Sequence, residues 1–474
     1  METVKLSHYL IATEPLQEAN NKRVLYSTRS GKTLLIPEIC YQYLLDGRFN
    51  EIPKPVIDKL ISNQALVPAN EDELLSIVND NKASIESEDT GRLYVVIQPS
   101  ASCQLGCYYC GQQHTKDYIA PDLYQKMDAR LRGKVASGNY KELYVAWFGA
   151  EPLMGLKQIR ELTKLFKQIA KDYNLSYGAK MVTNGLSLKE NIFEEIAKDF
   201  SVKQIEVTLD GTAEYHDSHR YTKEGGKSFD LIFQNLQKIL NRPDFEELGC
   251  DISIRCNVDE KNYDGVSKLI QLLAATGLNK KIAYFYPIGV YAWGNEAHKK
   301  SLTKEEFAKH EIAWLVEMIK AGFKPGLKPT RSKQVCMSVS KNAEMYDAFG
   351  NISNCTEVSY VPKYADSEYF IGNLNNAPNT FKPRNIISDW NDTLLTDQFP
   401  CHSCKMLPVC GGACPKSWHE DMRACPNPKF NIKDRLELMH LLATTNEETR
   451  TAKLDKFMTP RTPLLQSNEE LVPA

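Results

Sequence analysis

Ten of the 13 cysteines in this chain fall into two groups, and their spacing is the strongest chemical signal in the sequence. The first group lies between Cys103 and Cys110, and the second between Cys336 and Cys425. The remaining cysteines are Cys40, Cys250 and Cys256. Because disulfides are unstable in a reducing compartment, clustered cysteines in a protein of that compartment indicate metal or redox sites. We therefore expect metal centres at both groups.

The first group, Cys103-Gln-Leu-Gly-Cys107-Tyr-Tyr-Cys110, has the spacing C-x3-C-x2-C and follows an apolar, β-rich run. Three thiolates on one loop can hold a four-iron cluster and leave one iron without a protein ligand. That open iron could bind the amino and carboxylate groups of a small cofactor. The alternatives are a zinc site completed by a ligand from elsewhere, or buried cysteines, although zinc knuckles usually contain paired C-x2-C units.

The second group combines the pattern C-x13-G-x4-C with C-x2-C-x5-C-x3-C and a final cysteine. Its members are Cys336, Cys355, Cys401, Cys404, Cys410, Cys414 and Cys425. The segment from Gly326 to Pro426 is rich in Cys, Gly, Pro and Asn and has too few apolar residues for a large core. Metal centres commonly stabilise such segments. Two zinc sites remain an alternative, because C-x2-C also suits zinc.

Strand and helix patterns alternate from Leu93 onward. The predicted strands are Leu93–Gln98, Glu142–Phe148, Ala179–Thr183, Gln204–Leu209, Ile252–Val258 and Ile282–Pro287. The predicted helices between and after them are Pro121–Ala136, Leu156–Asp172, Lys189–Lys198, Phe229–Leu240 and Tyr263–Ala275. Roughly six successive βα units predict a parallel sheet with helices outside, as an open or closed barrel. Functional loops should then lie at the C-terminal ends of the strands.

The segments on either side of this alternation have different patterns. Residues 1–90 contain two predicted strands and three predicted helices, which indicate a small winged-helix-like module or a helical cap on the barrel. These elements are Arg23–Thr28, Thr33–Ile36, Glu38–Leu45, Pro55–Ser62 and Glu71–Val78. The acidic stretch Glu86–Asp89 is typical of a linker. Further helices are predicted at Thr303–Ala321 and Ile432–Leu442, and a C-terminal tail at 448–474, of which Thr459–Ala474 is expected to be flexible.

The first cysteine group resembles the signature of radical S-adenosylmethionine (SAM) enzymes, and further strand ends resemble the SAM-binding segments of that family. Trp147–Pro152 is similar to the Gly-Gly-Glu-Pro motif, with Ala150 in place of the second glycine. Val182–Gly185 is similar to the Thr-Asn-Gly segment, and Val207–Gly211 to the Ser-Leu-Asp-Gly segment. Each has a simpler interpretation, since Asn-Gly and Asp-Gly are common turns and Arg255 could belong to a salt bridge within the barrel.

This resemblance implies a set of residues around SAM. It implies that Tyr109 lies against the adenine and that Gly149, Ala150 and Glu151 contact the amino group, with Glu151 as its acidic partner. The other implied residues are Thr183 and Asn184 near the ribose, Thr208, Asp210 and Arg220 on the next loops, and Arg255 and Asn257 near the carboxylate. Cys103, Cys107 and Cys110 are implied to hold the catalytic cluster, whose electron breaks a carbon–sulfur bond of SAM.

The second cysteine group resembles the seven-cysteine SPASM domain found in radical SAM enzymes, which implies two further [4Fe–4S] clusters. The resemblance assigns Cys401, Cys404, Cys410 and Cys425 to an outer cluster. It assigns Cys336, Cys355 and Cys414 to an inner cluster. In some relatives a fourth cysteine precedes the first, but Gly326–Val335 contains none. Either a non-cysteine ligand completes the inner cluster or one iron is open, and Cys250 and Cys256 fit ordinary strand positions better than remote ligands.

The resemblance implies an α/β fold, with a partial (β/α)6 radical SAM barrel, an N-terminal winged-helix-like module and a C-terminal iron–sulfur SPASM domain. The expected parts are a module at 1–90, a barrel at 91–325, a SPASM domain at 326–447 and a tail at 448–474. The implied cofactors are three [4Fe–4S] clusters and SAM.

Relatives with SPASM domains mostly modify ribosomally made peptides, so the resemblance implies an oxidoreductase that matures such a peptide. It would abstract hydrogen from a precursor and form a thioether, C–C or C–O cross-link, with reduced flavodoxin or ferredoxin as electron donor. The 1–90 module would bind the precursor's leader as an added strand. An anaerobic sulfatase-maturing enzyme, which forms formylglycine, is the alternative, but that family usually lacks a long N-terminal module. A non-catalytic iron–sulfur electron carrier is less favoured, because SAM-binding motifs would have no purpose there.

The overall composition argues against two other classes of partner. The net charge is −2, which offers no electrostatic basis for binding nucleic acid. No apolar run approaches the ~20 residues needed to span a bilayer, and Met1–Leu10 has neither a signal-peptide core nor a basic leader. We therefore expect a cytoplasmic protein without a membrane partner.

Overall fold

The chain begins with a small antiparallel sheet flanked by helices in the computed structural model, which describes residues 3–86, 91–376 and 387–458. The elements are β1 (Val4–Leu6), β2 (Leu10–Ala12), β3 (Lys22–Ser27), β4 (Lys32–Pro37), α1 (Glu38–Leu45), α2 (Lys54–Ser62), β5 (Leu66–Pro68) and α3 (Glu73–Glu86). Strands β2, β3 and β4 form one sheet in that order, and β1 pairs with β5. Both predicted strands and all three predicted helices are present, while the three-residue strands β1, β2 and β5 were not predicted.

The two faces of this N-terminal sheet are both covered. On one face, Leu25 and Ile36 pack with Leu44 of α1 and Leu60 of α2 in a local core. On the other face, Ile11, Val24 and Tyr26 pack against residues that follow position 400. The module is therefore joined to the C-terminal part of the chain by an apolar interface.

Six parallel strands follow and confirm the α/β fold expected from the alternating pattern. They are β6 (Arg92–Ile97), β7 (Glu142–Trp147), β8 (Ser176–Thr183), β9 (Val202–Thr208), β10 (Asp251–Val258) and β11 (Tyr284–Gly289). The helices are α4 (Pro121–Ser137), α5 (Leu156–Asp172), α6 (Glu190–Lys198), α7 (Ala213–His219), α8 (Phe229–Leu240), α9 (Tyr263–Ala275) and α10 (Lys304–Lys320). Adjacent strands pair in chain order, with β11 at one edge. Short α7 was not predicted.

The helices cover the outer face of this sheet because alternate strand residues are apolar. Leu93, Val95 and Ile97 of β6 are at most 1% exposed and share one core with the helices. The opposite face carries polar residues near the strand ends, such as Thr208, Arg255 and Asn257. Because successive side chains of a strand point to opposite faces, the polar residues lie on the inner face of the sheet and the apolar residues pack on its outer face.

The sheet continues beyond β6 into the C-terminal third, which the sequence did not predict. The added strands are β12 (Glu344–Tyr346), β13 (Asn351–Ser353) and β14 (Phe370–Asn373). Strand β12 runs parallel to β6, with Met345 opposite Val96, and the sheet reads β11-β10-β9-β8-β7-β6-β12-β13-β14. This extension carries Cys355, which follows β13, to the barrel.

The remaining helices are α11 (Trp390–Thr393), α12 (Leu407–Cys410), α13 (Pro415–His419), α14 (Pro428–Thr444) and α15 (Glu447–Leu454). The expected tail at 448–474 needs correction, because α15 and the following turn bury Leu454 and Phe457 against α10 and α14. Residues 459–474 of that tail, and Ser87–Asp89 of the expected linker, lie outside the described residues. Within the described ranges, no helix combines the length and the apolar character required to cross a membrane.

Candidate active site

A cavity of about 210 Å³ lies at the C-terminal ends of the barrel strands. We call it the barrel cavity. Its walls include the first cysteine loop, the residues that follow β7, β8 and β11, and the segment that follows Cys355. The location agrees with the rule that parallel α/β sheets carry their sites at the carboxyl ends of the strands.

Most of the residues singled out from sequence line this cavity. They are Cys103, Cys107, Cys110, Tyr109, Gly149, Ala150, Thr183, Asn184, Thr208, Arg220, Arg255 and Asn257. Glu151 and Asp210 are not among the lining residues; both are fully buried beside it. The fold therefore brings five separate strand ends together around one space.

The Glu151 carboxylate connects two loops behind the cavity wall. Its Oε1 accepts hydrogen bonds from the Thr183 hydroxyl at 2.7 Å and the Leu153 backbone N–H at 3.0 Å, and its Oε2 accepts one from Asn184 N–H at 2.8 Å. Burial raises the pKa of this carboxyl, although these three donors oppose the shift. The side chain thus positions Thr183 and Asn184 at the end of β8.

Asp210 is the centre of a second buried network. Its Oδ2 accepts the Tyr109 hydroxyl at 2.5 Å and its Oδ1 accepts the Asn257 backbone N–H at 2.8 Å. The Tyr109 oxygen in turn accepts Arg220 Nη1 at 2.5 Å and Asn257 Nδ2 at 3.0 Å. These bonds connect the cysteine loop to the ends of β9 and β10, and they fix the Tyr109 ring within the cavity wall.

His216 supports the Asp210 loop from below. Its Nδ1 accepts the Asp210 backbone N–H at 3.1 Å, and its Nε2 lies 3.1 Å from Ser228 Oγ, whose hydroxyl donates to the carbonyl of Arg220. Burial, together with the charge of Arg220, holds the pKa of His216 well below its usual value, so the imidazole is neutral. The histidine therefore holds the Asp210 loop in place through hydrogen bonds.

Three thiols converge on the same cavity. Leu105 N–H and Asn184 Nδ2 point at Cys103 Sγ, at 3.4 and 3.8 Å. Burial, followed by the Glu151 charge, raises the pKa of Cys103 to about 12, and burial raises that of Cys107 to about 11. Protons are therefore held tightly until a cation replaces them, as expected of thiols that become metal ligands. Three sulfur donors with an open side suit an iron–sulfur cluster.

The outer set of cysteines surrounds a second cavity. Cys401, Cys404, Cys410 and Cys425 all line it, together with Trp418 and Lys429. The Gly412 N–H points at Cys410 Sγ at 3.3 Å, and Lys429 Nζ lies 3.9 Å from Cys425 Sγ. An N–H donor and a cation beside two of the four sulfurs provide a fitting environment for a negatively charged cluster.

The inner set comprises Cys336, Cys355 and Cys414, and residues next to it in the chain line both cavities: Glu357 lines the barrel cavity and Ala413 lines the second one. Burial raises the pKa of both Cys336 and Cys355, and the charge of Cys414 adds to that increase. The charge of Glu357 also raises the pKa of Cys355, whereas that of Lys416 lowers it. Cys250 and Cys256, considered as remote ligands, are instead buried in the barrel core. Among the described residues, no group of three or more His, Cys, Asp or Glu is arranged to hold a single metal ion.

Residues 97–243 match the protein family described as the Radical SAM superfamily. This range starts at the last residue of β6 and contains the first cysteine group and the loops that follow β7, β8 and β9. The chain carries a radical SAM domain and is an enzyme. Its family implies a [4Fe–4S] cluster and SAM as cofactors, and the three sulfurs of the barrel cavity fit that cluster.

Relatives of this radical SAM enzyme span different parts of it. An uncharacterized protein of Synechocystis sp. is 28% identical to this chain in an alignment that covers 30% of this chain and 36% of that protein. The radical SAM cyclopropyl synthase TigE of Paramaledivibacter caminithermalis is 20% identical over 79% of this chain and 78% of its own length. A cysteine-type anaerobic sulfatase-maturating enzyme of Clostridium novyi is 24% identical over 68% of this chain and 87% of its own.

A solved structure shares the fold of the radical SAM enzyme. Native anSMEcpe with bound AdoMet aligns with a TM-score of 0.51 and 18% identity, and the alignment covers 68% of this chain and 88% of that one. At this identity the likeness concerns the fold alone. It agrees with the α/β architecture built around the barrel cavity.

Sequence reasoning missed part of the cavity wall of the radical SAM domain. The additional lining residues include Gly111, Gln112, His114, Phe148, Tyr291, Trp293, Glu357 and Val361. Gly111, Gln112 and His114 directly follow Cys110, and Phe148 precedes Gly149, so their proximity in sequence was an available signal. Glu357 and Val361 belong to the C-terminal segment, and only the pairing of β12 with β6 brings that segment to the barrel.

Proposed function

We propose that this radical SAM enzyme is a peptide maturase with a C-terminal SPASM domain at 326–447 and three [4Fe–4S] clusters. It cleaves SAM reductively, abstracts hydrogen from a ribosomally made precursor peptide and forms a thioether, C–C or C–O cross-link. The observation that carries the proposal is the shared wall of the barrel cavity. Cys103, Cys107 and Cys110 line it together with Glu357 and Val361, which follow the inner-set Cys355 in the chain.

Within the barrel cavity the residues divide into a cluster-holding and a SAM-holding set. The three cysteines hold the cluster, which together with SAM supplies the carbon radical for hydrogen abstraction. Tyr109, Thr183, Asn184, Thr208, Arg220, Arg255 and Asn257 line the remaining space with hydrogen-bonding groups. Arg255 Nε donates to Asn257 Oδ1 at 2.8 Å, and its Nη1 forms an ion pair with Glu206 Oε1 at 3.8 Å. Glu151 and Asp210 orient these groups from behind.

The N-terminal module at 1–90 supplies a surface for the leader of the precursor. Strand β4 pairs with β3 on one side only and is the edge of its three-stranded sheet. Leu35 on this strand is 38% exposed, and Ile39 at the start of α1 is 55% exposed. An extended peptide can add to such an edge through its main chain and place apolar side chains on these residues.

The two further clusters give the enzyme a route for electrons, with reduced flavodoxin or ferredoxin as donor. Cys401, Cys404, Cys410 and Cys425 hold the outer cluster. Cys336, Cys355 and Cys414 hold the inner one, whose fourth position is either a non-cysteine ligand or an open iron. The relative named a cyclopropyl synthase favours the carbon–carbon option among the three proposed bonds, because closing a cyclopropyl ring requires a new carbon–carbon bond.

Sulfatase maturation is the second candidate, and one comparison favours it. The Clostridium novyi sulfatase-maturating relative aligns over 87% of its own length. Against this candidate, this chain carries a three-stranded module ahead of the barrel, which suits recognition of a leader.

Anaerobic coexpression with a small precursor encoded beside this gene separates the two candidates. A cross-link removes two hydrogen atoms from the precursor, and mass spectrometry locates them on two linked residues. Conversion of a single Cys or Ser to formylglycine in a sulfatase peptide, with no change in the precursor, would contradict the proposal. Replacing Cys103, Cys107 and Cys110 together with Ala should abolish formation of 5′-deoxyadenosine while iron of the other clusters remains.

Leader binding is tested at the β4 edge by the substitution Leu35→Glu. Burial of a carboxylate against an apolar peptide side chain is unfavourable, so we expect precursor affinity to fall about tenfold or more. Leu231→Glu is the matched control, because Leu231 is 55% exposed on α8 of the barrel. Equal precursor affinity of both variants, measured by fluorescence anisotropy, would count against the module as the leader site.

A further inference from the structure

The Gln112 side chain bridges two segments that both contribute residues to the wall of the barrel cavity. Its Oε1 accepts the backbone N–H of Ala150 at 3.1 Å, in the loop after β7. Its Nε2 donates to the carbonyl of Ser359 at 3.2 Å, in the segment after Cys355. One amide therefore satisfies a donor of the proposed SAM-binding loop and an acceptor of the inner-cysteine segment.

Ala150 has a backbone conformation that a residue with a Cβ atom rarely adopts. Its φ is +44°, in the left-handed region, and Gly149 before it has φ +76°. Glycine adopts this conformation without a steric cost, whereas the Cβ atom of alanine makes it unfavourable. The Gly-Gly-Glu-Pro motif that this segment resembles has glycine at the position of Ala150, so the chain needs another contribution to hold the same turn. The bond from Gln112 acts on the N–H of that residue.

The direction of Gln112 is itself determined by the residue before it. A Cβ atom on Gly111 would lie 1.8 Å from the Trp293 carbonyl oxygen, so the backbone approaches that segment too closely for any other residue. On the other side, Gln113 N–H donates to the Tyr360 carbonyl at 2.6 Å. With both neighbours held by backbone contacts, the Gln112 side chain points at Ala150 with little freedom.

We propose that Gln112 is a positioning residue that holds Ala150 in its left-handed conformation and so keeps the SAM-binding loop in shape. Its Nε2 donates to the Ser359 carbonyl, so Gln112 also connects the SAM-binding loop to the segment that follows Cys355. The inference rests on the proposed assignment of Gly149–Glu151 to SAM binding. A chain with glycine at position 150 does not need the Gln112 bond, since the turn is then free of steric cost.

A double-mutant cycle tests this dependence directly. Gln112→Leu keeps the volume of the side chain and removes both hydrogen bonds, and Ala150→Gly removes the strain. In anaerobically reconstituted protein, SAM affinity is measured by equilibrium dialysis and by the change in the cluster's electron paramagnetic resonance spectrum. We expect Q112L to weaken SAM binding about tenfold when position 150 is Ala, but by no more than about threefold when it is Gly, each loss being measured against the protein with the same residue at position 150.

The control is Gln113→Leu, because the Gln113 side chain is exposed and its backbone bond survives the substitution. The proposal would be overturned if Q112L lost as much SAM affinity in the A150G background as it does alone. It would also be overturned if Q112L bound SAM as tightly as the parent. If Q112L is recovered only as aggregate, the double variant should still be soluble and bind SAM, and an insoluble double variant would overturn it too. A parent protein that binds no SAM would refute the proposed function itself.

Discussion

Buried polar side chains of the barrel cavity mainly hold one another in place. Glu151 accepts three protein donors, and Asp210 accepts two, so each carboxylate organises residues that do face the cavity. The assignment of Glu151 to the SAM amino group stays a prediction, and the structure adds a second role as the link between β7 and β8 loops. Satisfying each donor in a dry site matters because an unpaired one costs about 1–3 kcal/mol.

The role of Glu151 leads to a prediction at this scale. Glu151→Gln retains the shape but turns one acceptor oxygen into an amide group that faces a protein donor. We expect the free energy of unfolding to fall by about 1–3 kcal/mol, measured by anaerobic denaturant titration. Glu161→Gln serves as control, because Glu161 is 49% exposed and pairs with Lys164 on the surface of α5. A Glu151→Gln protein as stable as the control would refute the linking role.

At the scale of elements, the first cysteine loop depends on close contact with the segment after β11. Gly111 leaves no room for a side chain beside Trp293, and Asn295 Nδ2 donates to the Tyr109 carbonyl at 3.0 Å. Trp293 also covers the Lys416 ammonium, which lies 4.9 Å from its ring centre and 2.8 Å from the Glu420 carboxylate. The segment after β11 therefore connects the cysteine loop of the barrel with the inner cysteines.

Gly111→Ala and Gly133→Ala form a matched pair at this scale. At Gly133, inside α4, an added Cβ meets nothing within 4 Å, so alanine should stabilise the protein by up to about 1 kcal/mol. At Gly111 the same methyl group overlaps a backbone oxygen and must displace the cysteine loop. We expect Gly111→Ala to lose most SAM-dependent formation of 5′-deoxyadenosine. Parent-like activity of this variant would show that the contact is not needed.

At the scale of the molecule, the N-terminal module is packed on the outer-cysteine loop. Met406 and Val409 of that loop share a core with Val24 and Tyr26 of β3. Thr28 Oγ1 donates to the Lys405 carbonyl at 2.6 Å, and Tyr26 hydroxyl donates to Pro329 carbonyl at 2.6 Å. The module that we propose to bind the leader thus also shields the outer cysteines from water.

Removing residues 1–86 should therefore affect more than leader binding. The deletion exposes the apolar side of the outer-cysteine loop, so we expect the loss of one cluster, about four of about 12 irons per chain. Iron analysis and electron paramagnetic resonance of the reconstituted protein measure the loss. The Leu35→Glu variant, which retains the whole module, should keep its full iron content. Retention of all iron after the deletion would contradict a shielding role.

Local patterns in the sequence determined the barrel and much of its site. Six alternations of strand and helix, read from periodicity, correspond to β6–β11, because the period of the apolar residues is set by the geometry of each element. Residues at strand ends, such as Asn184 and Asn257, reached the cavity because parallel strands end on one side of a sheet. The spacing of the first cysteine group likewise needed no long-range information.

Only the tertiary structure decided which distant segments complete the site. Strand β12 has three residues, too few for a periodic signal, yet its pairing with β6 brings Glu357 to the cavity. The bonds of Gln112 to Ala150 and Ser359, and the docking of β3 on Met406, join residues far apart in the chain. Such contacts arise from the packing of whole elements, and the order of residues along a chain does not encode them locally.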